Sequence, residues 1–148
     1  MRSLRLFEEY LEIGIVKKQK PDNSRAKSLI EESKSSYIIL KNIVSMIKDI
    51  DKSSNYIIKN AYDIIMELIR AIMLKDGYNA SGFGAHEAEV AYLRVLKFRE
   101  NEIQFVNQLR YFRNGILYYG KEFDKEYADK VMIFLNKIFV ELVNVQNP

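Results

Sequence analysis

The chain has 148 residues, with 23 lysines and arginines against 20 aspartates and glutamates, which gives a formal net charge of +3. Hydrophobic residues make up 48% of it, enough for a packed core, and this excludes a disordered chain. The absence of cysteine excludes disulfides, thiolate metal sites and cysteine nucleophiles. With 6 glycines and 2 prolines, long helices are favoured over a turn-rich β fold, and the length predicts a single domain over residues 1–148.

The charge and hydropathy patterns predict a cytoplasmic protein with no membrane contact. No apolar run approaches the ~18 residues of a membrane span. Glu8 and Glu9 lie where a signal peptide would be apolar. The excess of positive charge lies near Lys17, Lys18 and Lys20. These lysines either attract a polyanion or form a solvated loop, and the solvated loop is favoured.

Two helices are predicted in the first third of the chain. Residues 4–13 form a short helix that stops at Gly14, and a basic loop then runs to Pro21. The second helix ends near Ile50, and its start can be capped by Asp22, Asn23 or Ser24. Its seam has the alternating four-and-three spacing of a helical bundle and comprises Ala26, Ile30, Ser33, Tyr37, Leu40, Val44 and Ile47.

The third helix is predicted to be central because its apolar stripe is wide. Four side chains are candidates for capping its start: Asp51, Ser53, Ser54 and Asn55. The stripe consists of Ile58, Ala61, Ile65, Leu68 and Ile72, widened by Tyr62, Met66, Ile69 and Met73. Segment 76–84 then breaks the helical pattern, and a short helix follows from about His86 to Leu96. No segment shows the alternation that is typical of strands.

The break contains Gly77, Gly82 and Gly84. It lacks the Gly-Lys-Ser/Thr ending of a P-loop and follows a helix instead of a strand, so a flexible connection is favoured over a nucleotide-binding loop.

His86 is the only histidine of the chain, and it lies beside Glu87 and Glu89. A metal site needs about three convergent ligands, which one histidine cannot supply. Asp63 and Glu67 could add carboxylates, but nothing in their spacing requires it. We expect a structural or interface histidine, with no metal and no cofactor.

Two further helices complete the chain, and the last begins near Asp124. Its stripe has three-and-four spacing and comprises Ala128, Val131, Leu135, Ile138 and Leu142. The helix before it, at 101–119, has a core face formed by Phe105, Leu109, Phe112, Ile116 and Tyr119. A second face combines basic side chains with Ile103, Val106 and Leu117. A mixed face of this kind suits contact with a second protein chain.

Four polar side chains of this penultimate helix form a candidate ligand-binding group. Arg110, Asn114 and Tyr118 follow one another at four-residue steps, and Arg113 lies at the edge of the core face. The two arginines can hold a phosphate or carboxylate with forked, charge-assisted hydrogen bonds, and Asn114 can orient a neighbour. Gly115 costs about 1 kcal/mol of helix stability relative to alanine, so we expect another backbone or a ligand close to it. The alternative interpretation is an ordinary salt-bridged surface helix.

The segment resembles the signature of the HEPN superfamily of small helical bundles, in which an arginine, often followed by asparagine, precedes a histidine by a short spacer. The run from Arg113 to Tyr118 (Arg-Asn-Gly-Ile-Leu-Tyr) matches the Arg-Asn start and the spacer, with tyrosine in place of histidine. The version Arg-Asn-Gly-x-x-Tyr-Tyr-Gly is similar to that of an archaeal branch. The resemblance implies an all-α, antiparallel four-helix-type bundle with additional short helices. It also implies a homodimer through the 101–119 helix.

The resemblance further implies possible activities and partners. Many members of the superfamily are metal-independent ribonucleases, many are toxins paired with a minimal nucleotidyltransferase-like protein, and others are binding or accessory modules. Tyr118 argues against catalysis, because a phenol with its usual pKa of about 10 is a poor base at pH 7. It can still donate a hydrogen bond to a phosphate. His86 could replace the missing imidazole only if the fold brings it to the same cleft.

The leading hypothesis is a non-catalytic or weakly catalytic homodimer that binds RNA or a nucleotide through Arg110, Arg113, Asn114 and Tyr118. One alternative is a metal-independent ribonuclease toxin with Arg113 and Tyr118 as candidate catalytic residues. Another is an accessory or scaffold partner of a nucleotidyltransferase-like protein.

Overall fold

The computed structural model of the protein describes residues 3–146, with side chains up to residue 145. In chain order the elements of this range are α1 (Phe7–Glu12), β1 (Val16–Lys18), α2 (Asn23–Met46), α3 (Ile50–Asp76), β2 (Tyr78–Ala80), α4 (Ala85–Val95), α5 (Glu100–Tyr119) and α6 (Lys125–Gln146). Among the helices described, none combines the length and the apolar character needed to cross a lipid bilayer. The prediction of an all-α fold is confirmed to the extent that helices form most of the described chain.

Helix α3 lies at the centre of the fold and packs against α2, α4, α5 and α6. The hydroxyl of Ser33 in α2 donates to the Ile64 carbonyl oxygen in α3 at 3.1 Å. Ala26, earlier in α2, packs against Ala71, later in α3. The two helices therefore run antiparallel.

Helices α5 and α6 form a second antiparallel pair, joined by aromatic contacts. The ring centres of Phe105 and Phe134 are 4.3 Å apart. Those of Phe112 and Tyr127 are 5.3 Å apart, with the rings nearly perpendicular. Because the second pair comes later in α5 and earlier in α6, the helices run in opposite directions.

The stripes predicted for the third and last helices form the core. No residue of the predicted α3 stripe is more than 3% exposed, including those that widen it. In α6 the predicted stripe is at most 1% exposed: Ala128, Val131, Leu135, Ile138 and Leu142. The central position of α3 is confirmed, since a helix that is apolar around most of its circumference needs several neighbours.

Helix boundaries near residue 50 differ from the sequence prediction. Helix α2 begins after Asp22, whose carboxylate accepts a backbone N–H as the capping pattern predicts. It ends at Met46, before the predicted end near Ile50, because the chain becomes extended there. Asp49 caps α3, so the predicted caps at 51–55 lie inside that helix.

The expectation that the chain has no strand is wrong. Strands β1 and β2 pair antiparallel, with Val16 opposite Ala80 and Lys18 opposite Tyr78. Each strand has three residues, too few for an alternation to stand out in the sequence. Val16 is buried while Lys17 and Lys18 are exposed, so part of the predicted basic loop is a solvated strand.

The assignment of faces on α5 is also wrong. Ile103 and Val106, predicted for the free second face, are 0% exposed, whereas Tyr119, predicted for the core, is 86% exposed. Leu109 is buried as predicted. The first half of α5 has α3 and α4 on one side and α6 on another, so one core face cannot describe it. The hydrophobic side chains that remain open lie at the C-terminal end and include Leu117.

Gly77 fixes the turn that leads from α3 into β2. Its φ is +90°, in the left-handed region, and a Cβ atom there would lie 2.8 Å from the carbonyl oxygen of Gln19.

We expect Gly77→Ala to lower the free energy of unfolding by about 2–3 kcal/mol, from left-handed strain and overlap together. Gly82→Ala is the control. Its φ is +79° but no described atom lies within 4 Å of its Cβ, so about 1 kcal/mol is expected. Equal losses in urea unfolding would contradict the close approach.

Candidate functional site

The four predicted ligand-binding side chains of α5 fall in two places. Arg110 and Arg113 lie where α5 packs against α3 and α4, and each faces a carboxylate on one of these helices. Asn114 and Tyr118 line a separate depression at the C-terminal end of α5. We call the first place the arginine groove, and its residues are Tyr62, Asp63, His86, Glu87, Arg110 and Arg113.

Arg113 is held loosely in this groove. One terminal nitrogen, Nη2, lies 3.4 Å from the Asp63 Oδ1, and the guanidinium carbon lies 5.7 Å from the ring centre of Tyr62. The Nε atom is buried and has no hydrogen-bond partner among the described residues. A buried donor without an acceptor is unfavourable, so this nitrogen is a position at which an incoming oxygen atom would be stabilised.

Arg110 is the more enclosed of the two arginines, with 13% of its side chain exposed. Its Nε donates to the Asn107 Oδ1 at 3.0 Å. Its Nη1 lies 3.7 Å from the Glu87 Oε1, beyond hydrogen-bonding distance. The Arg110 guanidinium therefore makes one hydrogen bond, to Asn107, and the N–H groups on its other edge remain available to an acceptor.

Tyr62 connects the single histidine to the arginines. The Tyr62 hydroxyl oxygen and the His86 Nδ1 are 3.4 Å apart. Burial raises the pKa of Tyr62, which keeps its hydroxyl protonated at neutral pH. The hydroxyl can therefore donate to Nδ1 of a neutral imidazole, whose other nitrogen then carries the proton. His86 and Arg113 thus contact the same tyrosine from α4 and α5.

An ion pair between Arg70 and the buried carboxylate of Glu89 joins α3 to α4 next to His86. Arg70 of α3 donates to both carboxylate oxygens of Glu89, at 2.7 and 3.1 Å. The Glu89 Oε1 is also 3.7 Å from the His86 Nδ1. Glu89 is 2% exposed, and its two hydrogen bonds to Arg70 fix the orientation of α4 on α3. The sequence prediction named Glu89 as a neighbour of His86 but did not include Arg70.

The second place is an open depression of about 510 Å³, and the residues around it are Tyr111, Phe112, Asn114, Gly115, Tyr118, Tyr119 and Lys121. Tyr118 is 72% exposed and makes no hydrogen bond to a described residue. The depression is therefore aromatic and lies beyond the arginine groove along the same helix.

The close approach expected at Gly115 is not found, because a Cβ atom there would make only an ordinary van der Waals contact. A Cβ atom there would lie 3.5 Å from the Cδ of Lys121. The Gly115 carbonyl oxygen accepts the Lys121 backbone N–H at 3.2 Å. The turn after α5 therefore uses the carbonyl group of Gly115, but the space around this residue does not require glycine.

Tyr62 is the residue of the groove that sequence reasoning missed, since its spacing assigned it to the core stripe of α3. It is indeed 1% exposed, and its hydroxyl nevertheless reaches His86. Within residues 3–145 no group of three or more His, Asp or Glu side chains converges to hold a metal ion.

Comparison of the chain with models of protein families, with curated proteins and with solved structures found no match. The function must therefore be argued from the groove.

Proposed function

We propose that the protein is a HEPN-like homodimer that binds RNA or a nucleotide through its phosphate groups, with Arg113 and Arg110 as the main contacts. The observation that carries the proposal is the buried Nε of Arg113, which has no partner among the described residues. A phosphate oxygen would accept from Nε and Nη2 together, in the forked geometry that arginine favours.

The carboxylates of the groove do not outcompete a phosphate. Asp63 is 50% exposed and lies 3.4 Å from Arg113, and Glu87 lies 3.7 Å from Arg110. Pairs that are long or exposed contribute little to stability. These acids hold the guanidinium groups in place until an anion with more acceptor oxygens replaces them.

The C-terminal end of α5 supports the dimer of this proposal. Four large side chains there are exposed to between 45% and 86%: Tyr111, Leu117, Tyr118 and Tyr119. Neighbouring exposed aromatic and aliphatic groups on one helix end mark a contact surface. A second copy seated on this end would place two arginine grooves near one another, with Asn114 and Tyr118 between them.

We expect Arg113→Ala to weaken binding of a fluorescent single-stranded RNA about 10-fold or more in an anisotropy titration. A charge-assisted contact to phosphate contributes about 1.5–3 kcal/mol, and its loss also lowers the salt dependence of binding. Arg25→Ala removes an exposed arginine from the start of α2 and serves as the charge-matched control. Arg113→Lys keeps the charge but loses the fork, so an intermediate affinity is expected.

Equal affinities for Arg113→Ala and Arg25→Ala would reject the proposal. Equal affinities for Arg113→Lys and the wild type would show that positive charge alone accounts for binding, without a contribution from the unpaired Nε.

Metal-independent cleavage of RNA is a second candidate function, favoured by the contact of His86 with the tyrosine that Arg113 covers. An imidazole can act as general acid or base in phosphodiester cleavage while an arginine stabilises the charge that develops on the phosphate. Incubation of RNA with the protein in EDTA tests this function. Cleavage that persists in both His86→Ala and Arg113→Ala would come from a contaminant.

A further inference from the structure

A small cavity at the N-terminal end of α4 adjoins the arginine groove. It has a volume of about 190 Å³, and its lining includes Arg5, Tyr10, Phe83, Gly84 and Glu87. At about 30 Å³ per water molecule, this is the space of about six waters, which suits a ring system the size of a purine. Glu87 lines the cavity and also belongs to the arginine groove, because its Oε1 lies 3.7 Å from the Arg110 Nη1.

Tyr10 gives this cavity a buried hydroxyl that has no acceptor for its proton among the described residues. The residue is 2% exposed, and the backbone N–H of Arg5 lies near its oxygen, but the hydroxyl itself donates to no described residue. Burial raises its pKa, so the hydroxyl remains protonated and able to donate. A buried hydroxyl in this state is stabilised by a ligand that brings an acceptor atom into the cavity.

Phe83 gives the cavity an aromatic ring that the fold leaves uncovered. It is 90% exposed, the largest exposure of any apolar side chain among those described. Gly82 and Gly84 flank it with φ angles of +79° and +90°. An aromatic ring held between two glycines at a cavity rim is suited to stack on a flat ring.

Two opposite charges line the same small space. Glu87 offers acceptor oxygens, and Arg5 offers a fork of donors. The backbone of Arg5 is held in position by Arg94, whose Nη1 donates to the Leu4 and Arg5 carbonyl oxygens at 3.3 and 2.9 Å. The N-terminal segment is thus fixed against α4, and the Arg5 guanidinium remains available.

We infer that this cavity binds a guanine base, with Phe83 stacked on the ring, Glu87 accepting from the N1–H and 2-amino groups, and Arg5 donating to O6 or N7. Guanine is the base that presents adjacent donors on one edge and adjacent acceptors on another, which matches one carboxylate and one guanidinium. The inference rests on the proposed function, since it adds a base subsite beside the phosphate contacts. The Glu87–Arg110 pair links the two sites.

Nucleosides test the subsite separately from the phosphate site, because they carry no phosphate. We expect guanosine titrated into ¹⁵N-labelled protein to shift the amide signals of Gly82, Phe83 and Gly84 saturably. Uridine should require at least about 10-fold higher concentration. Phe83→Ala and Glu87→Gln should each weaken guanosine binding at least five-fold, whereas Glu8→Gln, an exposed glutamate on α1, should not.

Equal shifts with guanosine and uridine, or no shift of residues 82–84 with guanosine, would overturn the inference. Retention of Arg113-dependent RNA binding in that case would leave the proposed function standing. Conversely, guanosine binding in a protein whose RNA affinity does not depend on Arg113 would support the cavity and reject the proposed phosphate site. The amide spectrum of each variant shows whether it is folded.

Discussion

Replacement of Arg70 with alanine is expected to lower the free energy of unfolding by about 3 kcal/mol. The change removes both donors that hold the Glu89 carboxylate, whose side chain is 3% exposed, and leaves a buried charge without its partner. Burial is the largest single influence on the pKa of Arg70 and lowers it, but the hydrogen bonds and charge of Glu89, together with Glu67 and Tyr62, outweigh it and leave that pKa raised. Arg70 is therefore charged at neutral pH. Urea unfolding at neutral pH and one fixed protein concentration measures the loss.

Two variants separate the ion pair from simple loss of side-chain volume. Arg70→Lys keeps a positive charge with a single donor group and should lose about half as much stability. The double variant Arg70→Met with Glu89→Leu removes both charges and should be more stable than Arg70→Ala alone. A loss below about 1 kcal/mol for Arg70→Ala would contradict a dominant role for the pair, and would indicate that His86, 3.7 Å away, can replace the arginine.

Ile103→Ala is expected to lower the free energy of unfolding by about 3 kcal/mol, because the side chain is fully buried and its removal leaves a cavity. Leu117→Ala, on the same helix, should cost less than about 1 kcal/mol, since that residue is 45% exposed. Urea unfolding of both variants at low protein concentration, where a dimer is not populated, makes the comparison. Similar losses would contradict the division of α5 into a buried first half and an open end.

This division determines which part of α5 is available to a second copy. The sequence predicted a dimer through the 101–119 helix, but Ile103 and Val106 in its first half are buried against neighbouring helices. A contact surface can therefore include Leu117, Tyr118 and Tyr119, but not Ile103 or Val106. Leu117→Ala is expected to affect association more than stability.

The stripes of α3 and α6 could be predicted from sequence because each has a simple pattern. Residues from Ala128 to Leu142 recur at three and four positions and contact the core along one side of α6. The pattern of α5 is harder to read, since contacts on two sides place Val106 and Leu109 in the core together. A helical wheel assumes one buried face, so the sequence prediction placed Leu109 in the core and Val106 on the free face.

The arginine groove is formed by residues that are far apart in the sequence, so no local sequence pattern predicts it. The turn at Gly77 and the short strand β2 return the chain so that α4 starts beside Tyr62, well before the end of α3. This return brings His86 to the aromatic ring that Arg113 covers. The sequence could nominate the arginines and the histidine, but it could not show that one buried tyrosine joins them.

The most direct test of the account is an NMR observation of the Arg113 side chain itself. In a ¹H–¹⁵N spectrum of arginine Nε–H groups, the Arg113 signal is assigned by its absence from Arg113→Lys. We expect titration with single-stranded RNA to shift this signal saturably, while the signal of Arg94, whose Nε already donates to Glu100 at 3.2 Å, stays in place. An Arg113 signal that does not move at saturating RNA would contradict the claim that its buried nitrogen receives a phosphate oxygen.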